Sequence, residues 1–229
     1  MDASPFINKP KTRKGRETLN RIVSAAAQVF YEKGYHSASI NDITRLAGVA
    51  SGTFYVYFDG KYNLYKFLLL QCSHMIRKHL YESTKNCKTR REMEEVGLRE
   101  WLRFVDRNKY MYHVIWESLY IDKQLFVEYY ENFAKNYIKG MEEAKANGEI
   151  AQDIDLEVVA FTLMGASNFL GLNYGLFKDG RYDREEVVQS FMKILNGGLF
   201  TGKVEKKEME DLPIRLTVEF DDEEEEEEV

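Results

Sequence analysis

Between residues 39 and 64 the chain reads Ser-Ile-Asn-Asp-Ile-Thr-Arg-Leu-Ala-Gly-Val-Ala-Ser-Gly-Thr-Phe-Tyr-Val-Tyr-Phe-Asp-Gly-Lys-Tyr-Asn-Leu, and one glycine in its middle dictates the shape. Ser39 is a favoured N-cap, and Asp42, three residues on, supplies the acid of a capping box. Ile40, Ile43 and Ala47 then share a helical face. Gly48 follows, the residue best able to adopt the left-handed conformation that ends a helix sharply. Val49 packs back, and Ser51 stands where it could cap a second short helix. Phe54 and Tyr57 anchor that helix on the first, leaving Ser51, Thr53, Tyr55 and Val56 pointing away. Two helices at a tight turn are how a protein presents one of them to the DNA major groove. Hydroxyls and a tyrosine on the free face suit phosphates and base edges. An ordinary hairpin inside an all-α core fits the same spacing.

The rest of the chain reads as helix too. Prolines stand only at 5, 10 and 213, so residues 11 to 212 carry none of that helix breaker. Leu19, Ile22, Val23, Ala26, Val29 and Phe30 form a first amphipathic helix stopped by Gly34. After the hairpin, the pattern predicts helices over about 61–81, 89–107, 112–119, 122–147, 155–177 and 183–199, with Asp155 and Asp183 as N-caps. The expectation is an all-α protein of about nine helices. Residues 1–15 form a basic flexible arm, 16–76 a three-helix domain around the 39–58 hairpin, and 77–204 a larger helical domain. The acidic tail, 205–229, holds an alternating Ile214–Phe220 strand pattern and then six consecutive glutamates. It is a solubilising end or a DNA mimic that folds back on the basic face.

Charge follows this division. The chain carries −6 overall, yet residues 1–61 hold nine Lys/Arg against five Asp/Glu. The acidity belongs to the tail. Cys72 and Cys87 form no disulfide framework, which suits a reducing, cytoplasmic setting. The longest apolar run, Val158 to Leu172, is interrupted by Thr162, Ser167 and Asn168, and falls short of the roughly 20 residues of a membrane span.

From about Glu17 to Met75 the chain resembles the N-terminal DNA-binding domain of the TetR family of transcriptional regulators. The matching elements are Ile22–Phe30, Gly34-Tyr35, Ser39–Ile43, Ala47-Gly48-Val49, Gly52–Phe58, and Lys61 with Leu64. Thr44 replaces the family's usual alanine, and Val56 stands where a polar or basic residue is common. The resemblance implies a homodimeric repressor of a palindromic operator, released by a largely apolar small molecule. Ser51, Gly52, Thr53, Tyr55 and Val56 would then face the major groove. Ser39, Tyr57 and Lys61 would contact phosphates, and Lys14 and Arg16 would reach the minor groove or backbone.

The 155–177 segment is apolar on most of its circumference and carries Gly165, Gly171 and Gly175. Mid-helix glycines cost about 1 kcal/mol each, which close approach of another helix offsets. Either it is a core helix of a monomer or, as the family implies, helices eight and nine of two subunits form a four-helix interface. Effector candidates are Trp101, Phe104, Met111, His113, Trp116, Phe133, Tyr137, Phe161, Met164 and Asn168, an aromatic and sulfur-rich set that lines a cavity or packs a core. Enzymatic patterns fail. Gly197 to Lys203 has phosphate-loop spacing, but Val204 replaces the Ser/Thr that would hold Mg²⁺. No metal, cofactor or catalytic set is expected. An activator, a co-regulator, or a lipid- or acyl-thioester-binding module with a vestigial hairpin remain as other readings.

Overall fold

The computed structural model of the protein describes residues 6–197. Those residues form helices α1 (Arg13–Ser37), α2 (Ile40–Ala47), α3 (Ser51–Tyr55), α4 (Lys61–Thr84), α5 (Arg90–Arg107), α6 (Lys109–Ile121), α7 (Lys123–Ala146), α8 (Leu156–Leu170) and α9 (Arg184–Gly197). The acidic tail, its strand pattern and the end of the ninth helix lie outside the described residues. The fold is all-α, with no strand among the described residues.

Local chemistry sets the boundaries. The Ser39 hydroxyl accepts the Asp42 N–H at 3.0 Å while the Asp42 carboxylate accepts the Ser39 N–H at 3.2 Å, closing the capping box. Gly48 ends α2 in the left-handed region at φ 64°. Asp155 accepts the N–H groups of Glu157 and Val158, and Asp183 those of Glu185 and Glu186. Thr12 caps α1 through Gly15, so that helix begins three residues earlier than the predicted arm would allow. The expected arm is also held down: Ile7 is buried, and the Asn8 N–H donates to the Tyr57 carbonyl at 2.9 Å. Lys14 is helical, not part of a flexible extension.

Ile22, Phe30, Ile43, Phe54, Phe58, Leu64 and Tyr65 are wholly buried where α1 to α4 meet. On α4 the inward stripe is Leu64, Leu68, Cys72 and Ile76, whereas Met75 is exposed. The apolar residues run over more than one face there, so periodicity alone does not fix the buried edge.

The eighth helix continues without a break from α8 into a π-helical turn, Gly171–Phe177. Its glycines divide. A Cβ on Gly175 would lie 2.6 Å from Val105 Cγ1, and one on Gly171 3.1 Å from the Trp101 ring nitrogen, so both admit α5 rather than another subunit. A Cβ on Gly165 would meet nothing within 4 Å. The polar residues expected to interrupt this segment do not: Leu156–Phe177 is 22 residues long with mean hydropathy 1.2, long and apolar enough to cross a membrane by length and composition. One side of it is packed on α5 and α7, and the other bears exposed Val158, Phe161, Phe169 and Phe177.

Candidate DNA-reading head and effector cavity

The five residues of α3 are held by a single deep anchor. Phe54 is 0% exposed, tilted against Phe58 at 5.7 Å, and Phe58 against Phe67 at 5.6 Å. Rigid seating leaves the opposite surface free. Ser51, Gly52, Tyr55 and Val56 are exposed and Thr53 half-buried, with Tyr55 at 56% and Val56 at 60%. Nothing packs near Gly52, so only an outside surface would benefit from its missing Cβ. Ser51 does not cap α3. Ala50 occupies that position without a side-chain bond, and the Ser51 hydroxyl instead donates to the Asn41 side-chain oxygen at 3.1 Å. Thr44 is buried, its hydroxyl turned back onto the Ile40 carbonyl at 2.9 Å, so the extra bulk is accommodated within α2.

Two phosphate candidates have other work. Tyr57 is buried and its hydroxyl donates to the Gly15 carbonyl at 3.1 Å, joining the end of α3 to the start of α1. The Lys61 ammonium donates to the carbonyls of Tyr35 and Ala38 at 2.6 and 2.7 Å, and to His36 at 3.3 Å. It also lies 4.4 Å above the Tyr35 ring, and burial lowers its pKa. Three donors on three carbonyls make it the C-terminal cap of α1. Ser39 is spent on the capping box, though its position remains exposed. Lys14 and Arg16 are exposed on the first turns of α1, beside the Tyr57 contact.

In the body, α4, α5, α7, α8 and α9 enclose a cavity of about 400 Å³. Trp101, Phe133, Tyr137, Met164 and Asn168 line it, as the sequence suggested. Phe104 does not: it stacks behind Trp101 at 6.3 Å. Met111 is buried in the core and Trp116 packs on Phe126 and Phe169. His113 faces Tyr31 of α1 at 5.7 Å, and Phe161 is exposed on the outer face of α8. Aromatics occur on every side of α6, so composition could not tell the cavity face from the others. The Trp101 ring N–H donates to the Ser167 carbonyl at 2.9 Å, and the Tyr112 hydroxyl to the Asn168 carbonyl, fixing α8 on α5 and α6.

Sequence reasoning missed the wall supplied by α4, where Ile76 and Leu80, four apart, face inward beside Arg77. It also missed the polar end. Arg90 Nε donates to Glu94 at 2.6 Å, its guanidinium lies 4.5 Å over the Tyr137 ring, and the Tyr137 hydroxyl donates to Glu94. Burial holds the Tyr137 phenol well above its ordinary pKa. The charges there answer one another, leaving a cavity that is apolar over most of its wall and self-satisfied at one end. No cluster of His, Cys, Asp or Glu suited to a metal occurs among the described residues.

Comparison with known proteins places this arrangement in a class. Residues 22–67 match the family described as bacterial regulatory proteins, tetR family. The HTH-type transcriptional regulator YvdT of Bacillus subtilis (strain 168) is 28% identical over 163 residues, covering 68% of this chain and 80% of its own. The fatty acid degradation regulator FadR from Bacillus halodurans has a similar fold, with TM-score 0.72 and 24% identity over 83% of this chain and 98% of that one. The regulator FadR from Bacillus subtilis, solved in complex with stearoyl-CoA, gives TM-score 0.67 and 20% identity over 80% and 100%.

Residues 22–67 thus carry the N-terminal domain of the TetR family. The relatives that it matches over about two thirds of its length are named HTH-type transcriptional regulators, not enzymes.

Proposed function

We propose that the protein is a cytoplasmic, homodimeric repressor that binds a palindromic operator and is released by a long-chain, largely apolar acyl compound. Residues 16–76 are the reading head, and residues 77–204 bind the effector and pair the subunits. The observation that carries this is the pairing of a rigid, outward-facing α3 with a mostly apolar cavity walled partly by α4, the helix that continues out of the reading head. Ser51, Gly52, Thr53, Tyr55 and Val56 enter the major groove, and Lys14 and Arg16 reach the backbone. One five-residue helix touches few base pairs, so a second copy about 34–36 Å along the duplex is needed for specificity.

Helices α8 and α9 supply the pairing surface. Val158, Phe161 and Phe169 on α8 and Ile194 and Leu195 on α9 are exposed apolar side chains, and Gly165 among them lets a partner helix approach closely. The acyl choice is supported by the cavity's apolar wall and by the stearoyl-CoA complex of the Bacillus subtilis FadR, whose fold this chain shares. Fluorescence anisotropy on a duplex from the promoter region upstream of the coding sequence tests the reading. Nanomolar binding that falls steeply with salt and is reversed by stearoyl-CoA is expected. Binding that stearoyl-CoA strengthens would make the protein an activator-type switch, and salt-independent, sequence-blind binding would remove the DNA role.

A further inference from the structure

The effector cavity has a neighbour. A second cavity of about 290 Å³ lies between α4, α7 and the segment preceding α1, and it shares Arg77 and Tyr129 with the first. Lys66 and Arg77, eleven residues apart on one side of α4, line it against a single acid, Glu128. The Arg77 guanidinium makes no hydrogen bond or ion pair with any described residue, in contrast to Arg90, whose charge Glu94 already answers. Lys66 lies over two rings, Phe6 at 4.6 Å and Tyr62 at 5.0 Å, and its charge also reaches the Asp122 carboxylate. A cation on the wall shared by two largely apolar cavities, and a second lining the smaller one, suit an elongated molecule with a greasy tail and an anionic end.

Phe6 closes this second cavity from the side of the reading head. It is followed by buried Ile7 and by Asn8, whose N–H is bonded to the carbonyl of Tyr57 at the end of the reading helix. The same short segment therefore touches both the cavity and the DNA-reading element.

We propose that the second cavity receives the anionic end of the effector, a carboxylate or phosphate held by Arg77 and Lys66, and that its arrival displaces Phe6 and frees the segment from Tyr57. This rests on the effector reading of the main cavity, where the tail lies. The anion takes the place of the Phe6 ring against Lys66. A ligand shifts the segment only by as much as it favours the arrangement with Phe6 out, so the Lys66 exchange is the source of the switch.

The experiment titrates the full-length protein with stearoyl-CoA, stearate and CoA alone by calorimetry, and follows amide exchange at Asn8. Arg77→Gln and Lys66→Gln each weaken binding about tenfold or more, and Lys66→Arg restores it. Phe6→Ala tightens binding, because the cavity no longer has to be emptied. In the wild type, ligand speeds Asn8 exchange about tenfold or more. Arg77-dependent binding of stearate identifies a carboxylate as the anion; the same dependence for stearoyl-CoA only identifies the thioester's phosphates. Equal binding by wild type and all these variants, with Asn8 exchange unchanged, overturns the proposal and leaves the effector reading standing. CoA binding as tightly as stearoyl-CoA also overturns it, since the tail would then play no part. Failure of every acyl compound to bind the wild type sinks the effector reading itself.

Discussion

The Glu117 carboxylate on α6 accepts the backbone N–H of Tyr35, at the end of α1, at 2.5 Å across 82 residues of sequence. Gly34 makes the approach possible: its φ of 72° turns the chain, and a Cβ there would lie 3.1 Å from the same oxygen. Nearby, the Tyr65 hydroxyl on α4 donates to the Val114 carbonyl of α6 at 2.6 Å, and the Tyr62 hydroxyl to Asp122. The body thus holds the reading head through α6, which at Tyr112 also touches α8 beside the cavity.

Removing the carboxylate should show what this joint does. Glu117→Ala leaves the Tyr35 N–H unpartnered and is expected to lower stability by about 1–3 kcal/mol. Operator affinity should change little while effector-driven release is blunted, as read by anisotropy with and without stearoyl-CoA. Full release in the variant would place the coupling elsewhere.

The reading face and its anchor should separate cleanly. Tyr55→Ala and Thr53→Ala are expected to weaken operator binding by roughly 5- to 150-fold, the scale of one good base contact, without changing thermal unfolding. Phe54→Ala should instead cost about 3–5 kcal/mol of stability, because its ring fills the space under α3. Unaltered operator binding by Tyr55→Ala would remove that residue from the interface.

Much of this was readable from residue types. Ser39, Asp42 and Gly48 announce a capped helix and its stop through chemistry local to a few residues, and Asp155 and Asp183 do the same further on. What sequence could not supply was the use made of a side chain once distant elements meet. Lys61 reads as a free cation beside a helix start, yet the carbonyls it caps belong to residues 35, 36 and 38. Gly171 and Gly175 read as places where another helix comes close, within one core or between subunits, and only the position of Val105 shows that they serve α5. His113 and Trp116 share a helix rich in aromatics, where no periodic signal singles out the cavity face.

Pairing through α8 and α9 is tested by charge. Phe169→Glu is expected to convert a dimer to a monomer in sedimentation experiments while helicity is retained. A wild-type chain that is monomeric, or that partitions into lipid vesicles, would show that the exposed apolar side of Leu156–Phe177 has another occupant.

Acid should unfasten the capping box late. Lys33, and then Ser39, hold the Asp42 carboxyl down to about 2 from an ordinary 3.8. A carboxyl depressed in the folded state contributes stability above its unfolded value, and that contribution is lost as pH falls from about 4 toward 2. Denaturant unfolding of the wild type should therefore weaken more steeply across that window than unfolding of Asp42→Asn. Parallel curves would mean that the carboxylate contributes nothing there.

The most direct measurement is selection of bound duplexes from a random pool by the full-length protein, followed by affinity for the winner at several salt concentrations. Two half-sites related by a two-fold axis and about one helical turn apart, or a multiple of it, are predicted. Affinity should fall steeply as salt rises, and Tyr55→Ala should lose the preference. A pool that emerges without any enriched sequence, or a single unpaired half-site bound by a monomer, would contradict the reading of α3 as one of a pair of groove-reading helices.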